Sequence, residues 1–127
     1  SAAVALAASV GVRAEYRSDP VGVWVDSRKL GAVGVHVEHQ VAIHGLSLNV
    51  LPEATDVFRK RLFVPCGQRG AQVTSLVEEG AEPSLSLSSV AVRFAELLGR
   101  AHGLHLATME ARSLESLADG MPSRFAR

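Results

Sequence analysis

The chain has 127 residues, of which 47% are apolar and 20% charged, with 13 basic and 13 acidic side chains; this composition is typical of one globular domain with its own core. The balanced charge gives no electrostatic reason to expect nucleic acid or an anionic membrane as a partner, and no apolar run reaches the roughly 20 residues that span a bilayer. A single cysteine excludes a disulfide within the chain and favours a reducing, cytoplasmic compartment.

The first part of the chain predicts a helix followed by an antiparallel meander. The alanine-rich segment 2–10 predicts a helix that ends at Gly11, and "VRAEYR" predicts a short strand or an exposed link. The runs "GVWV", "LGAVGVHV" and "VAIHGLSLNV" alternate with period two, and the turn candidates "DSRK" and "EHQ" separate them. In the second run the valines occupy one face, and Ala32 and Gly34 occupy the other. Gly45 predicts a bulge in the third run.

The second part of the chain predicts short elements and one long helix. "LPEATDVFRKR" predicts a polar connection or a helical turn, "LFV" predicts a short strand, and "QVTSLV" predicts a further short strand or a turn. Apolar residues recur with helical spacing over residues 87–101, so we expect an amphipathic helix with one apolar stripe. Ser86 is its candidate N-cap and Gly103 its candidate end.

The lone cysteine, Cys66, lies between Pro65 and Gly67, at the predicted end of a strand. A thiol at such a turn is held rigidly and can face a groove, which a catalytic nucleophile needs; a buried structural thiol is the alternative. Lys29, at the turn that opens the second strand, is the candidate cation. Facing Cys66, it would stabilise the thiolate and pass a proton to a leaving group; a solvated lysine is the alternative.

Small residues on the second and third strands are candidate binding positions. Ala32 and Gly34 leave either a slot for an apolar ligand or a surface for close packing of a helix. Backbone amides at a Gly45 bulge could point at a ligand carbonyl, or the bulge could be plain. No metal is predicted, because His36 and His39 would face opposite sides of a strand and one cysteine gives no zinc-type spacing.

Three motifs, "GVWVDSRKLGAVGV", "HGLSLNV" and "VPCG…VTSL", in this order resemble the C-terminal half of the octanoyltransferases of lipoate biosynthesis. The resemblance implies an α/β (α+β) fold of the biotin and lipoate protein ligase catalytic-domain type, with a mixed or antiparallel sheet flanked by helices. The family's "RGG" and "HGPGQ" motifs do not occur here. We therefore expect residues 1–127 to be a single partial catalytic domain, without the N-terminal part of the fold and with a frayed tail at 120–127.

The resemblance also implies an activity and assigns residues to it. An octanoyl group passes from octanoyl-acyl carrier protein to a lysine of lipoyl domains, in 2-oxoacid dehydrogenases and the glycine cleavage H protein, through an acyl-cysteine thioester. This is the first step of protein lipoylation, in the cytoplasm and without a cofactor. By match to the family's motif, Cys66 is the nucleophile, and Lys29 lowers the pKa of the thiol and handles protons. Ala32, Val33 and Gly34 would line the acyl chain, and Gly45, Leu46 and Ser47 would hold its carbonyl end.

General chemistry agrees with this assignment and leaves two alternatives. A thiolate attacks the carrier thioester, and the acceptor amine then converts the acyl-enzyme to an amide; this step is downhill and requires neither ATP nor metal. One alternative is an inactive remnant that only binds acyl carrier or lipoyl domains. The other is a Cys/His hydrolase, which requires His44 near Cys66 and an orienting Asn or Asp. The sequence predicts neither the oligomeric state nor the preferred acyl length.

Overall fold

The computed structural model describes residues 1–60 and 72–107, apart from the side chain of His44. Within these ranges, five strands form one mixed sheet, and two helices pack with it around the hydrophobic core. The elements in chain order are α1 (Ala2–Ser9), β1 (Glu15–Ser18), β2 (Val21–Val25), β3 (Arg28–Glu38), β4 (Val41–Leu48), a 3-10 turn (Pro52–Thr55) that leads into α2 (Asp56–Arg59), β5 (Gln72–Val73) and α3 (Leu87–Ala101). The predicted strand "LFV" and the tail 120–127 lie outside the described residues.

The first four strands form the predicted antiparallel meander in the order β1-β2-β3-β4. Two-residue turns connect them, because Ser18 pairs with Val21, Val25 with Arg28 and Glu38 with Val41. In the β3–β4 turn, His39 and Gln40 both have positive φ, 49° and 66°, as a type I′ hairpin turn requires. These tight turns fix the register of the sheet.

The short strand β5 makes the sheet mixed, because it runs parallel to β3. Lys29 pairs with Trp24 of β2 on one edge of β3 and with Val73 of β5 on the other. β5 thus lies on the same edge of β3 as β4, and it occupies the part of that edge beyond the end of β4. The following backbone amide, that of Thr74, donates to the Lys29 carbonyl at 3.0 Å. The "VTSL" motif therefore lies beside Lys29.

The hydrophobic core lies between one face of the sheet and the helices α1 and α3. Leu6 of α1, Leu30 of β3 and Leu76 after β5 are fully buried, and each contributes about 1.5–3 kcal/mol relative to an exposed position. Ala3 and Ala7 of α1 are also buried, and their small side chains allow the helix backbone to lie close to the core. The apolar stripe of α3 is narrower than predicted: Val90, Phe94 and Leu97 pack at the core, whereas Leu87 and Leu98 are 60% and 42% exposed.

Both long helices end at the predicted glycines in Schellman motifs. Gly11 has φ +83°, and its amide and that of Val12 donate to the carbonyls of Ala8 and Ala7. Gly103 ends α3 in the same way, with φ +65°. At the other end of α3, the Ser86 hydroxyl accepts from the Ser89 amide at 3.1 Å and caps the helix. Within the described ranges, no helix has the length and apolar character needed to cross a bilayer.

The predicted bulge at Gly45 is wrong. The β3–β4 register runs without a shift from Gly31–Leu48 to Glu38–Val41, with Gly45 directly opposite Gly34. Gly45 instead absorbs an unusual backbone angle, φ +141°, which its missing Cβ permits within an unbroken ladder. Amides of a bulge at this position therefore cannot form a carbonyl-binding site.

Candidate active site

An irregularity in β3, rather than one in β4, shapes the candidate site. Neighbouring residues Val23 and Trp24 of β2 pair with Gly31 and Lys29, which are two residues apart. Leu30 is therefore an extra residue in β3, and the pair of strands contains a β-bulge at this point. The Leu30 side chain is fully buried and forms part of the core.

The bulge determines the face on which Lys29 lies. In a regular strand, residues three apart such as Lys29 and Ala32 point to opposite faces. The extra residue resets the alternation, because Gly31 pairs with Val23 on the core face while Lys29 pairs with Trp24 on the other. Lys29 consequently shares its face of the sheet with Ala32 and Gly34. This shared face is a condition for one site that contains them all.

Lys29 is buried, so the alternative of a solvated lysine at a turn is wrong. The turn consists of Asp26 and Ser27 alone, so that Lys29 is already the second residue of β3. Its side chain is only 3% exposed, and its Nζ lies 5.6 Å from the centroid of the Trp24 ring. A cation at this distance from an indole face is attracted by the ring quadrupole. Buried lysines are rare and are often found at functional sites.

Trp24 forms the wall beside Lys29 and is itself held in place. It is 4% exposed, and its Nε1 donates to the Pro20 carbonyl at 3.1 Å. The Arg17 guanidinium lies 5.3 Å from the ring centroid and pairs with Glu15. A ring with these contacts presents a rigid surface to the lysine. Sequence reasoning did not identify Trp24 as a site residue, although its place in "GVWV" is the signal that could have done so.

The face that carries Lys29 continues into a strip of small residues. Ala32 pairs with Ser47, and Gly34 pairs with Gly45. A Cβ placed at Gly34 or Gly45 would meet nothing within 4 Å. We call these four residues the small-residue strip. It is an open stretch of sheet surface with almost no side chain, next to a buried cation.

The two remaining predicted binding residues lie on the opposite face. Val33 pairs with Leu46, and both side chains pack against the hydrophobic core. On the face of the small-residue strip, these two residues present only backbone. The structure thus brings Lys29 and the strip to one face and separates Val33 and Leu46 from them.

Cys66, with Pro65 and Gly67, lies outside the described residues, so the structure gives no position for the predicted nucleophile. The residues that flank its segment are described. Arg59, just before it, forms an ion pair with Glu78, and β5, just after it, pairs with β3 at Lys29. The backbone of His44 pairs with Val35, and its side chain is not described.

A hydrogen-bonded network fixes the backbone around Lys29. Arg28 donates to both carboxylate oxygens of Glu79, at 2.6 and 2.9 Å, and the Thr74 hydroxyl donates to the same carboxylate at 2.6 Å. The Asn49 side chain donates to the Thr74 carbonyl at 3.0 Å, and the backbone amide of Asn49 donates to the Leu30 carbonyl. These contacts tie β3, the end of β4 and the segment after β5 together.

Charge and hydrogen bonding within this network shift the acid–base properties of its ion pair. The hydrogen bonds from Arg28 hold the pKa of the Glu79 carboxyl below its ordinary value, although partial burial acts in the opposite direction, and the Thr74 bond adds to the lowering. The same contact raises the pKa of Arg28. Sequence reasoning missed this network, because no local pattern relates Arg28 to a residue 51 positions away. Within residues 1–60 and 72–107, no cluster of three potential metal ligands exists.

Comparison with known proteins places the chain in a family. The sequence-family model of the lipoyl protein ligase A/B catalytic domain matches residues 1–98. The chain belongs to the lipoyl protein ligase A/B catalytic domain family. The match contains α1, the five described strands and most of α3, and the fold agrees with the mixed sheet flanked by helices that the sequence predicts.

Curated relatives of this family are similar to the chain over most of its length. An octanoyltransferase of Desulfovibrio desulfuricans is 36% identical over 95 residues, which are 75% of this chain and 39% of the relative. One from Acidobacterium capsulatum is 34% identical over 110 residues, 81% of this chain and 44% of the relative. One from Paramagnetospirillum magneticum is 42% identical over 79 residues, 58% and 36% of the two chains. The chain thus spans about two fifths of the length of these relatives.

Proposed function

We propose that the protein containing this chain transfers an octanoyl group from octanoyl-acyl carrier protein to a lysine of lipoyl domains, the first step of protein lipoylation. The acceptors would be the lipoyl domains of 2-oxoacid dehydrogenases and the glycine cleavage H protein, in the cytoplasm. The observation that carries the proposal is the buried Lys29 on the same sheet face as the small-residue strip. Family membership and relatives named octanoyltransferase support it.

The first half-reaction uses Cys66 and Lys29. The Cys66 thiolate attacks the carbonyl carbon of the carrier thioester, and the bond to the carrier sulfur breaks. The carrier thiolate leaves and takes a proton from Lys29, so an octanoyl thioester on Cys66 and a free carrier thiol result. A neighbouring ammonium favours the attacking thiolate, because an opposite charge stabilises the ionised form. This requirement explains why a cation would occupy an otherwise apolar, buried position.

The second half-reaction returns the enzyme to its starting state. The acceptor lysine attacks as a neutral amine, and Lys29, now neutral, takes the proton that the new amide nitrogen loses. The Cys66 thiolate leaves, and Lys29 is again an ammonium. The two half-reactions balance without ATP, a metal or another cofactor, because the thioester supplies the driving force. Residues 1–127 would form a single partial catalytic domain for this chemistry.

The small-residue strip gives the acyl chain a place to lie. Ala32 and Gly34 on β3 and Gly45 and Ser47 on β4 leave room for a linear apolar chain directly on the sheet. Each methylene removed from water there contributes about 0.8 kcal/mol to binding. The resemblance assigns the carbonyl end to Gly45, Leu46 and Ser47. Because the ladder has no bulge at Gly45, we place that end at Ser47, in the part of the strip nearest Lys29, and Val33 contributes backbone only.

The test uses the intact protein that contains this chain, mixed with octanoyl-acyl carrier protein and an unmodified lipoyl domain. We expect the lipoyl domain to gain the mass of one octanoyl group, and Cys66→Ala to abolish the gain. Lys29→Met should slow transfer by about 100-fold or more, the usual contribution of a positioned acid–base group. Binding of the lipoyl domain that survives Cys66→Ala without any transfer by the unmutated protein would contradict the proposal. Release of free octanoate that requires His44 would contradict it in favour of a hydrolase.

A further inference from the structure

Gly22 of β2 lies against the side chain of Lys29. A Cβ at this position would come within 2.8 Å of Lys29 Cε, 2.9 Å of the Gly31 carbonyl oxygen and 3.1 Å of Trp24 Nε1. Its φ is +155°, a backbone conformation that residues with a side chain rarely adopt. Both the close approach of Lys29 and the backbone angle therefore require glycine here.

We propose that Gly22 is a positioning residue for Lys29. Its missing side chain leaves the slot in which the lysine stem lies, and the Trp24 ring forms the wall at the ammonium end. Gly22 thereby determines where the Lys29 ammonium stands relative to the small-residue strip. This inference rests on the proposed role of Lys29 in octanoyl transfer.

The surroundings of the slot explain why a methyl group at Gly22 would move Lys29. The Gly31 carbonyl belongs to β3, and Gly31 itself is confined, because a Cβ there would lie 2.7 Å from the Ser47 carbonyl oxygen. Trp24 is held through its Nε1 hydrogen bond. The lysine stem has rotatable bonds and is the part that yields most easily.

Movement of the lysine would have an electrostatic consequence. Among the residues that the structure describes, Arg17 of β1 also lies over the Trp24 ring, and it pairs with Glu15. Displacement of the Lys29 ammonium would change the field at the strip without a change in net charge. A substitution at Gly22 should imitate, in part, the loss of the Lys29 charge.

The experiment measures the pH dependence of Cys66 alkylation by iodoacetamide in the intact protein, followed by peptide mass. Lys29→Met should raise the midpoint of the rate profile by about 1 pH unit, the usual effect of removing a neighbouring opposite charge. We expect Gly22→Ala to shift the midpoint in the same direction and to slow octanoylation about tenfold, which is part of the roughly 100-fold contribution of a positioned acid–base group. Gly80→Ala is the matched control, because Gly80 also has a positive φ, +102°, but a Cβ there meets nothing within 4 Å; its midpoint should stay at the wild-type value.

The outcomes separate this inference from the proposed function. A midpoint that moves in Lys29→Met but not in Gly22→Ala would overturn the role of Gly22 and leave the proposed function standing. A midpoint that stays in place even in Lys29→Met would overturn both. Equal shifts in Gly22→Ala and Gly80→Ala would also overturn the inference, since strain in the backbone alone would then account for them.

A second measurement decides the case in which Gly22→Ala is too unstable for alkylation. The melting temperatures of Gly22→Ala, Lys29→Ala and the double variant form a double-mutant cycle. We expect the alanine at position 22 to lower the melting temperature less when Lys29 is already alanine, because the stem it collides with is gone. An equal loss in both backgrounds would overturn the contact on which the inference depends.

Discussion

A valine at position 34 should shorten the acyl chain that the protein prefers. Gly34 has an ordinary backbone angle and open space where a Cβ would stand, and it lies in a strand, where valine is favoured over glycine. Gly34→Val should therefore leave the melting temperature unchanged or raise it. Its side chain would project from the small-residue strip, where we place the octanoyl group.

The size of the effect follows from the acyl methylenes that lose their contact with the sheet. The valine side chain adds three carbons, which cover the length of about two methylene groups. At about 0.8 kcal/mol for each methylene, the loss of binding is about 1.6 kcal/mol. This corresponds to a decrease of about 15-fold in kcat/KM for octanoyl carrier. A butanoyl carrier, which ends before the obstruction, should lose much less.

The assay compares kcat/KM for octanoyl and butanoyl carriers in the intact protein. Val35→Leu is the control, because Val35 is the next residue of β3, is 58% exposed and lies on the opposite face. The octanoyl-to-butanoyl ratio should fall about 15-fold in Gly34→Val, from the methylene contribution above, and stay constant in Val35→Leu. An unchanged ratio in a folded Gly34→Val protein would refute the placement of the acyl chain on this face.

Two further predictions concern the network that supports Lys29. Hydrogen bonds from Arg28 and Thr74 lower the pKa of Glu79 in the folded protein. The contribution of Glu79 to stability is therefore complete above pH 4.5, the ordinary pKa of its carboxyl group, and it disappears as the pH falls through the folded-state pKa. Glu79→Gln should lower the melting temperature at pH 7, and the difference from wild type should shrink in acid; a constant difference in thermal scans at pH 7 and pH 3 would contradict this account. Asn49→Ala should destabilise the protein by about 1–3 kcal/mol, since the buried Thr74 carbonyl loses its side-chain donor, as urea unfolding can measure; a loss below the error of that measurement would contradict it.

Local patterns were sufficient to predict most of the fold. The meander follows from period-two alternation and short turns, and α3 follows from helical spacing between Ser86 and Gly103. Both signals act over a few residues, so they can be recognised in a single sequence. The role of Gly45 in β4 could not be predicted in this way. Glycine tolerates both a bulge and an unusual φ in a regular ladder, and only the pairing of Gly45 with Gly34 distinguishes these two possibilities.

The geometry of the candidate site depends on contacts that the sequence does not show. Lys29 lies on the face of the small-residue strip because Leu30 is an extra residue in β3. This bulge can be identified only from the pairing of β2 with β3. The burial of Lys29 depends on Gly22 and Trp24 from another strand. The ion pair of Arg28 and Glu79 joins parts of the chain that are 51 residues apart. A local sequence pattern cannot predict such a contact.

The most direct test of the central claim is the mass of the intact protein after incubation with octanoyl-acyl carrier protein alone. The account predicts a gain of one octanoyl group, located by peptide mapping to Cys66, released by hydroxylamine as a thioester is, and formed about 100-fold or more slowly in Lys29→Met. No octanoyl group on Cys66 would contradict the account, and so would formation at the wild-type rate in Lys29→Met.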